Sequence, residues 1–281
     1  RIVGDEEIKM RLAKRQPYRL WLDTHRVMLP EQPEALETVS ESVPLIERRQ
    51  IFGYTKEDEE ILIGPMATDG KEPVGSMGND TALAVLSNRP QLLFNYFKQL
   101  FAQVTNPAID PIREEIVMSL EMDLGREGNL LGEDPLDCRR LHIQSPILTN
   151  AQLAHIKAMD QPGLKTAVLS ALFPAHDGPG AMEDALDRLC SEAEAAVDAG
   201  CSLLVLSDRG VGPDAAPIPS LLAVGGVHQH LVRVHKRTLC GLIIETGEAR
   251  EVMHCALLTG YGAGAVNPYL AYETIDDLLA R

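Results

Sequence analysis

Ser202-Leu-Leu-Val-Leu-Ser207, broken by Asp208-Arg-Gly-Val-Gly-Pro213, decides the fold. The run is apolar without alternation, as in a strand covered on both faces. Working outward, Pro219 to His235 reads as a helix and Leu239-Cys-Gly-Leu-Ile-Ile-Glu245 as a second buried strand. Thr246-Gly247 is expected to open a helix over Glu248–Gly260, and Ala263 to Asn267 to form a third, weaker strand. Tyr269 to Ala280 reads as a final helix. On the other side, Ala167 to Phe173 is a strand. Helix Ala181–Ala199 then aligns Met182, Ala185, Leu186, Leu189, Ala193 and Val197 in one stripe, and Gly200 stops it. This alternation specifies a mostly parallel α/β sheet. About four βα units are legible from about residue 166, whereas a closed (β/α)8 barrel needs eight. The expectation is a partial or degenerate (β/α)8-type barrel, or an open doubly wound sheet, preceded by an irregular connector.

The connector is residues 1–50, and the α/β domain is 51–281. Four prolines and few apolar residues make 1–50 read as an extended strap. Thr55-Lys-Glu-Asp58 resembles a capping box, starting a helix expected to end near Gly64-Pro65. Thr68 to Asp80 reads as a long loop. Asn88-Arg-Pro90 should start a helix whose apolar face carries Leu92, Leu93, Tyr96, Phe97, Leu100 and Phe101. Thr105-Asn-Pro-Ala-Ile-Asp-Pro111 is stiffened by two prolines and is either a corner or a contact surface. Glu115 to Leu120 and Leu141 to Ile143 read as strands. The Gly-rich loop between them, Leu124 to Pro135, lacks the Gly-Lys-Ser/Thr ending of a phosphate loop and reads as turns. Asn150 or Thr149 caps a helix over Gln152–Met159. Gly225-Gly226 inside a helix implies close packing against a strand.

Bulk properties exclude more than they assign. The 281 residues carry a formal charge of −15 and 45% apolar residues, enough for an aliphatic core. That field repels nucleic acid, and no basic, aromatic-interleaved stripe offsets it. Arg233, Lys236 and Arg237 form the densest basic cluster, at a helix end where cations suit the dipole. Cys138, Cys190, Cys201, Cys240 and Cys255 are widely spaced with no Cys-x-x-Cys, so they read as reduced core thiols. No stretch reaches the roughly 20 apolar residues of a membrane span. Arg1-Ile-Val-Gly-Asp-Glu-Glu has no signal-peptide core and no initiator Met, as in a piece of a longer chain. Asn79-Asp80-Thr81 matches a glycosylation sequon by chance.

Chemistry in parallel α/β folds gathers at the carboxyl ends of the strands. Those ends carry Asp208, Arg209, Glu245, Thr246 and Asn267. They can serve as base, anion clamp and hydrogen-bond donor. Equally, Asp208 can pair with Arg209, while Thr246 and Asn267 cap helices. Asn106, Asp110 and Arg113 are further candidates for an interface. His228, His230 and His235 have no metal-ligand spacing on a helix. Gly260-Tyr-Gly-Ala-Gly264 follows a helix rather than a strand, so it is a helix stop and not a dinucleotide loop. Ser207 has no evident His partner. No catalytic, cofactor-binding or metal residue is assigned.

Four blocks carry a family resemblance: Gly75-Ser-Met-Gly-Asn-Asp-Thr81; Phe94-Asn-Tyr-Phe-Lys-Gln-Leu-Phe-Ala-Gln-Val-Thr-Asn-Pro-Ala-Ile-Asp-Pro-Ile-Arg-Glu-Glu115; Leu206-Ser-Asp-Arg209 with Ala216-Pro-Ile-Pro-Ser-Leu-Leu-Ala-Val-Gly225; and Glu245-Thr-Gly-Glu-Ala-Arg-Glu251, continuing to Gly260-Tyr-Gly-Ala-Gly-Ala-Val-Asn-Pro-Tyr269. They resemble the central domain of the glutamate synthase large (alpha) subunit. The resemblance implies a parent that converts glutamine and 2-oxoglutarate to two glutamates, with electrons from NADPH, NADH or ferredoxin. It implies an amidotransferase domain with an N-terminal cysteine nucleophile and an FMN-binding barrel with a 3Fe-4S cluster. The central domain joins them, resembles a reduced FMN barrel, and helps wall an ammonia channel. Arg1 is not a cysteine and the cluster's closely spaced cysteines are missing, so no family catalytic residue transfers to this chain. Its expected partners are those two domains of the same polypeptide; an electron-donor subunit or ferredoxin is reached only through the parent. Cytoplasm, or plastid stroma for a plant parent, is the expected location. The rivals are a free-standing βα enzyme using Asp208, Arg209 and Glu245, and a ligand-binding regulatory module.

Overall fold

The computed structural model describes residues 2–31, 33, 41–73, 80–102, 104 and 108–280. Among its described residues, the segment expected to be extended forms three helices, α1 (Asp5–Ala13), α2 (Tyr18–His25) and α3 (Leu45–Ile51), with a short strand β1 (Val27–Met28) between α2 and α3. Local pairs support the first two, with Arg11 2.8 Å from Glu7 and Arg19 3.2 Å from Asp23. Neither helix fully buries a residue; α2 half-buries Tyr18 and Trp21, whose rings meet edge to face at 5.5 Å. Helix α3 buries two arginines, Arg48 and Arg49.

The capping box forms as expected: Asp58 N–H donates to Thr55 Oγ1 at 3.1 Å and Thr55 N–H to Asp58 Oδ2 at 2.9 Å. The helix does not stop at Gly64-Pro65. A π-helical stretch over Asp58–Ile63 runs directly into α4 (Gly64–Asp69). Pro65 has no N–H to donate, and the wider turn before it accommodates that loss. Gly70, at φ +62°, ends the helix instead. The aromatic helix expected after Pro90 shrinks to a 3-10 turn over Leu93–Phe97. Only Phe94 is buried, stacked on His254 at 4.3 Å, while Tyr96, Phe97 and Phe101 are exposed. The expected strand at Glu115–Leu120 is a short helix, α5 (Glu114–Val117). Then come β2 (Met122–Leu124), β3 (Leu141–Ile143) and α6 (Asn150–Lys157), which Thr149 caps in a full capping box with Gln152.

The central sheet begins with β4 (Asp160–Gln161) and β5 (Leu164–Ser170), an antiparallel edge hairpin. A small ribbon pairs β6 (Leu172–Pro174) with the later β8 (Ala215–Pro217). Helix α7 (Ala181–Asp198), β7 (Leu203–Ser207), α8 (Ser220–Arg233), β9 (Gly241–Glu245), α9 (Val252–Gly260), β10 (Ala265–Asn267) and α10 (Tyr269–Ala280) complete the chain. Sheet order is β10-β9-β7-β5-β4, parallel except at β4.

The barrel expectation is corrected: among the described residues the sheet is open. Both faces are covered, which explains the unalternating apolar runs. Leu204, Leu206, Leu242 and Ile244 pack with Ala185, Leu189, Val224 and Val227 of α7 and α8. Leu203, Val205, Ile243 and Ala265 pack instead with Leu124, Leu141, Ile143 and Ile156. A second sheet, β1-β3-β2, and α6 thus cover the face that a barrel would close around. The β10 edge is met by Ile147, with Leu148 N–H donating to Val266 O at 2.9 Å. The Gly225-Gly226 expectation is also corrected. A Cβ on Gly226 would lie 2.9 Å from Leu186 Cδ1, and one on Gly225 3.2 Å from Tyr261, so these glycines admit α7 and the end of α9 rather than a strand.

Candidate functional site

Strand register places Ser170, Ser207, Glu245 and Asn267 in one row across the carboxyl end of the sheet. The side chains on this rim are buried: Ser207, Asp208, Glu245, Thr246 and Asn267. Three groups converge on Glu245. Lys157 Nζ donates to its Oε2 at 2.6 Å, Ser207 Oγ to the same oxygen at 2.5 Å, and Arg209 Nε to Oε1 at 2.6 Å. Burial opposes charge on Glu245, yet Lys157, Ser207 and Arg209 together hold its carboxyl below the usual range.

Arg209 is a junction. Its Nη1 donates to Glu41 Oε1 at 2.7 Å and lies 3.4 Å from Glu273 Oε1 of α10. Its guanidinium stacks 3.9 Å above the Tyr269 ring. Arg48 of α3 pairs with the other Glu273 oxygen at 2.5 Å and donates to Val43 O at 3.1 Å. Arg49 pairs with Asp277 at 2.9 Å and donates to Thr274 Oγ1 at 3.1 Å. The segment around residues 41–54 is thereby clamped onto the strand ends and α10.

Asp208 does not pair with Arg209, as one sequence reading had it. Thr246 Oγ1 donates to Asp208 Oδ2 at 2.6 Å, and Gly247 N–H donates to Asp208 Oδ1 at 3.0 Å. Burial lifts the Asp208 carboxyl to about 7, against these stabilising donors. Burial also pushes the Tyr269 phenol up, and the neighbouring Asp208 adds to it. Thr246 does not cap a helix at 248, because α9 begins only at Val252. Asn267 caps nothing either. Its Nδ2 donates to Leu148 O at 2.9 Å and to Asn150 Oδ1 at 3.0 Å, tying β10 to the start of α6.

Sequence reasoning missed the partners that come from afar: Lys157, Glu41, Glu273, Arg48 and Arg250. Arg250 donates to Phe52 O and Gly53 O, both at 3.0 Å, and stacks 4.4 Å from the Tyr54 ring. No local spacing announces such contacts. Of the other interface candidates, Asp110 and Arg113 pair with each other at the surface, and Asp110 accepts from the Ile112 and Arg113 N–H groups at 3.1 and 3.0 Å. These contacts are local to the turn that precedes α5. Asn106 lies outside the described residues.

The residues present do not fit the FMN or 3Fe-4S cluster that the resemblance implies for a longer protein. Among the described residues no group of three or more His, Cys, Asp or Glu side chains is placed to hold a metal. Burial pushes the Cys240 and Cys255 thiols up to about 11, the opposite of a cluster ligand. The N-terminus of α8, where an open α/β fold would cradle a phosphate, is taken by Glu248. Its Oε2 accepts from Ser220 N–H at 2.9 Å and Ser220 Oγ at 2.6 Å. The three histidines are separately engaged or spread: His228 accepts from Arg237 Nε at 2.9 Å, His230 lies 2.9 Å from Glu194, and His235 sits past the end of α8 at φ +59°.

Residues 47–281 match the family model described as the glutamate synthase central domain. The NADPH glutamate synthase large chain of Bacillus subtilis (strain 168) is 47% identical over 274 residues, 98% of this chain and 18% of its own length. The NADH glutamate synthase of Schizosaccharomyces pombe is 44% identical over 293 residues, 100% of this chain and 14% of its own. Ferredoxin-dependent glutamate synthase 2 of Synechocystis is 43% identical over 280 residues, 98% and 18% respectively. The chain thus spans less than a fifth of the length of these relatives. The same match runs through the clamped segment from residue 47, the open sheet and its filled rim, and on that ground the chain belongs to the glutamate synthase central domain family.

Proposed function

We propose that this chain is the connecting domain of a glutamate synthase, carrying no reacting group of its own. It links the amidotransferase and FMN-binding domains of one polypeptide at fixed separation and helps wall the passage of ammonia between them. The whole enzyme takes glutamine, 2-oxoglutarate and two electrons to two glutamates. Its FMN and 3Fe-4S cluster belong to the neighbouring domain, and NADPH, NADH or ferredoxin delivers electrons there. This chain's own residues bind, space and exclude water.

The observation that carries this reading is the state of Glu245. A general base at a strand end needs an oxygen facing substrate. Here Oε2 is taken by Lys157 and Ser207 and Oε1 by Arg209. The same atoms weigh against a free-standing enzyme using Asp208, Arg209 and Glu245, since these side chains are spent on the protein itself. Contacts with adjoining domains are supported by apolar residues left in water. Ile112 is 89% exposed, Ile116 78%, Leu130 94% and Leu131 97%.

The test uses the purified 281-residue chain. It is expected to be colourless, to leave glutamine intact and not to reduce 2-oxoglutarate. A flavin absorption spectrum, or turnover of either substrate, overturns the reading.

A further inference from the structure

The Gly-rich loop after β2 has a role beyond turning the chain. With the 3-10 turn Pro135–Cys138 and the turn between β4 and β5 it encloses a cavity of about 390 Å³. Arg126, Gly128, Asp134, Asp137, Arg139 and Gly163 line it. Most arginines of this acidic chain are paired, and neighbouring Arg140 donates to Asp123 O at 2.5 Å. Arg139 also has a buried Nε without a hydrogen-bond partner, as Arg140 and Arg250 do, but unlike them it makes no ion pair among the described residues. Among the described residues neither Arg126 nor Arg139 has a carboxylate within ion-pair distance, and the Asp137 carboxylate has no donor. Opposite charges therefore face one cavity without touching each other.

Two glycines seat those charges. A Cβ on Gly128 would fall onto the Asp137 carboxyl group. One on Gly163 would lie 3.1 Å from Arg139 Cδ, and Gly163 also holds φ +81°. Glycine at both positions lets the carboxylate rest against the loop backbone and the guanidinium stem against the β4–β5 turn.

We propose that this cavity binds the zwitterionic head of a free α-amino acid. The ligand carboxylate lies on Arg139 and Arg126, whose planar donors suit it. The ammonium lies on Asp137, with Asp134 beside it. A simple anion such as phosphate meets Asp137, and a simple cation meets two guanidiniums; a molecule with both charges at short separation satisfies both. The volume suits a small ligand of this class. Gly163 precedes the amino end of β5 whereas the rim lies at its carboxyl end, so this site is separate from the rim and independent of the connecting role proposed above.

The test is equilibrium dialysis of the full-length protein carrying this chain against L-glutamine, L-alanine and L-arginine, with glutarate and inorganic phosphate as single-sign controls. Wild type stands beside Asp137→Asn, Arg139→Gln and Gly128→Ala, so a variant that fails to fold leaves two others. For at least one amino acid the wild type is expected to bind one more molecule per chain than the variants, or to hold it at least tenfold more tightly. Turnover by the parent is expected to stay within twofold, a readout separate from the connecting role. Equal binding by wild type and every folded variant for all three amino acids overturns the proposal. So does an extra site that takes glutarate or phosphate as tightly as the amino acid and survives Asp137→Asn.

Discussion

Arg209 and Glu245, at the ends of adjacent strands, meet at 2.6 Å, and the far nitrogen of the same guanidinium holds Glu41 at 2.7 Å. One cation thus ties β7, β9 and the N-terminal segment together. Removing its central carboxylate leaves Arg209 and Lys157 facing each other in a buried place. Glu245→Gln is expected to cost about 3–5 kcal/mol, the range for breaking one partner of a buried pair. Urea unfolding of the chain measures it. A loss below about 1 kcal/mol would show that the rim does not clamp the fold.

Gly247 sits under the ring of Phe52, which is buried and belongs to the N-terminal side of the clamp. An alanine methyl there would enter the ring. Gly247→Ala is expected to destabilise by about 1–3 kcal/mol through overpacking. Phe52→Leu should recover part of that loss in a double-mutant cycle. Additive effects would contradict the contact.

Asp208 makes stability depend on pH in a specific direction. Its carboxyl is lifted from 3.8 to about 7, burial being the largest cause. Between about pH 4 and 7 the folded chain holds a proton that the unfolded chain has released. The group's contribution is therefore largest below the unfolded value and is lost as pH rises through the folded one. Asp208→Asn is expected to flatten this limb. Unfolding free energies of wild type and variant should diverge in the variant's favour from about pH 4 to 7 and run parallel above. Parallel curves throughout would contradict a buried acid at this position.

His254 acts with the opposite sense. Burial, then Arg250 and Lys98, hold its imidazole down at about 3 from 6.5. The ring is neutral in the fold, accepting from Arg250 N–H at 3.3 Å and stacked on Phe94. Stability from this group is lost as pH falls from about 6.5 toward 3, where the unfolded chain takes up a proton first. His254→Asn is expected to lower stability at pH 7 by about 1–3 kcal/mol through lost packing. It should also remove part of the acid limb. Thermal melts at pH 7 and pH 4.5 measure both effects.

The C-terminal half was legible because its strands are buried on both faces, leaving runs such as Leu203 to Leu206 with no polar interruption. The final helix, Tyr269 to Ala280, coincides with its expected limits. The N-terminal helices were illegible for the complementary reason. Helix α1 buries nothing, α2 only half-buries Tyr18 and Trp21 within eight residues, and the buried residues of α3 are arginines, which no hydrophobic pattern registers. The aromatic run at Leu92–Phe101 misled because periodicity alone supplies no partner; it touches α9 mainly through Phe94 on His254 and Phe97 on Tyr261. Asp208, Arg209, Glu245, Thr246 and Asn267 stand at or just past the carboxyl ends of β7, β9 and β10. Their pairings were hidden, since Arg209 reaches across 168 positions to Glu41 and Lys157 across 88 to Glu245.

The central claim, that this rim clamps the fold and performs no chemistry, is tested most directly by Glu245→Gln in the full-length enzyme. Glutamine-dependent glutamate formation is measured well below the melting temperature, with the melting temperature recorded on the same sample. The account predicts kcat within about threefold of wild type per folded enzyme, a difference below about 0.7 kcal/mol in the barrier, together with a clearly lowered melting temperature. A fall in kcat of a thousandfold or more at an unchanged melting temperature would contradict it.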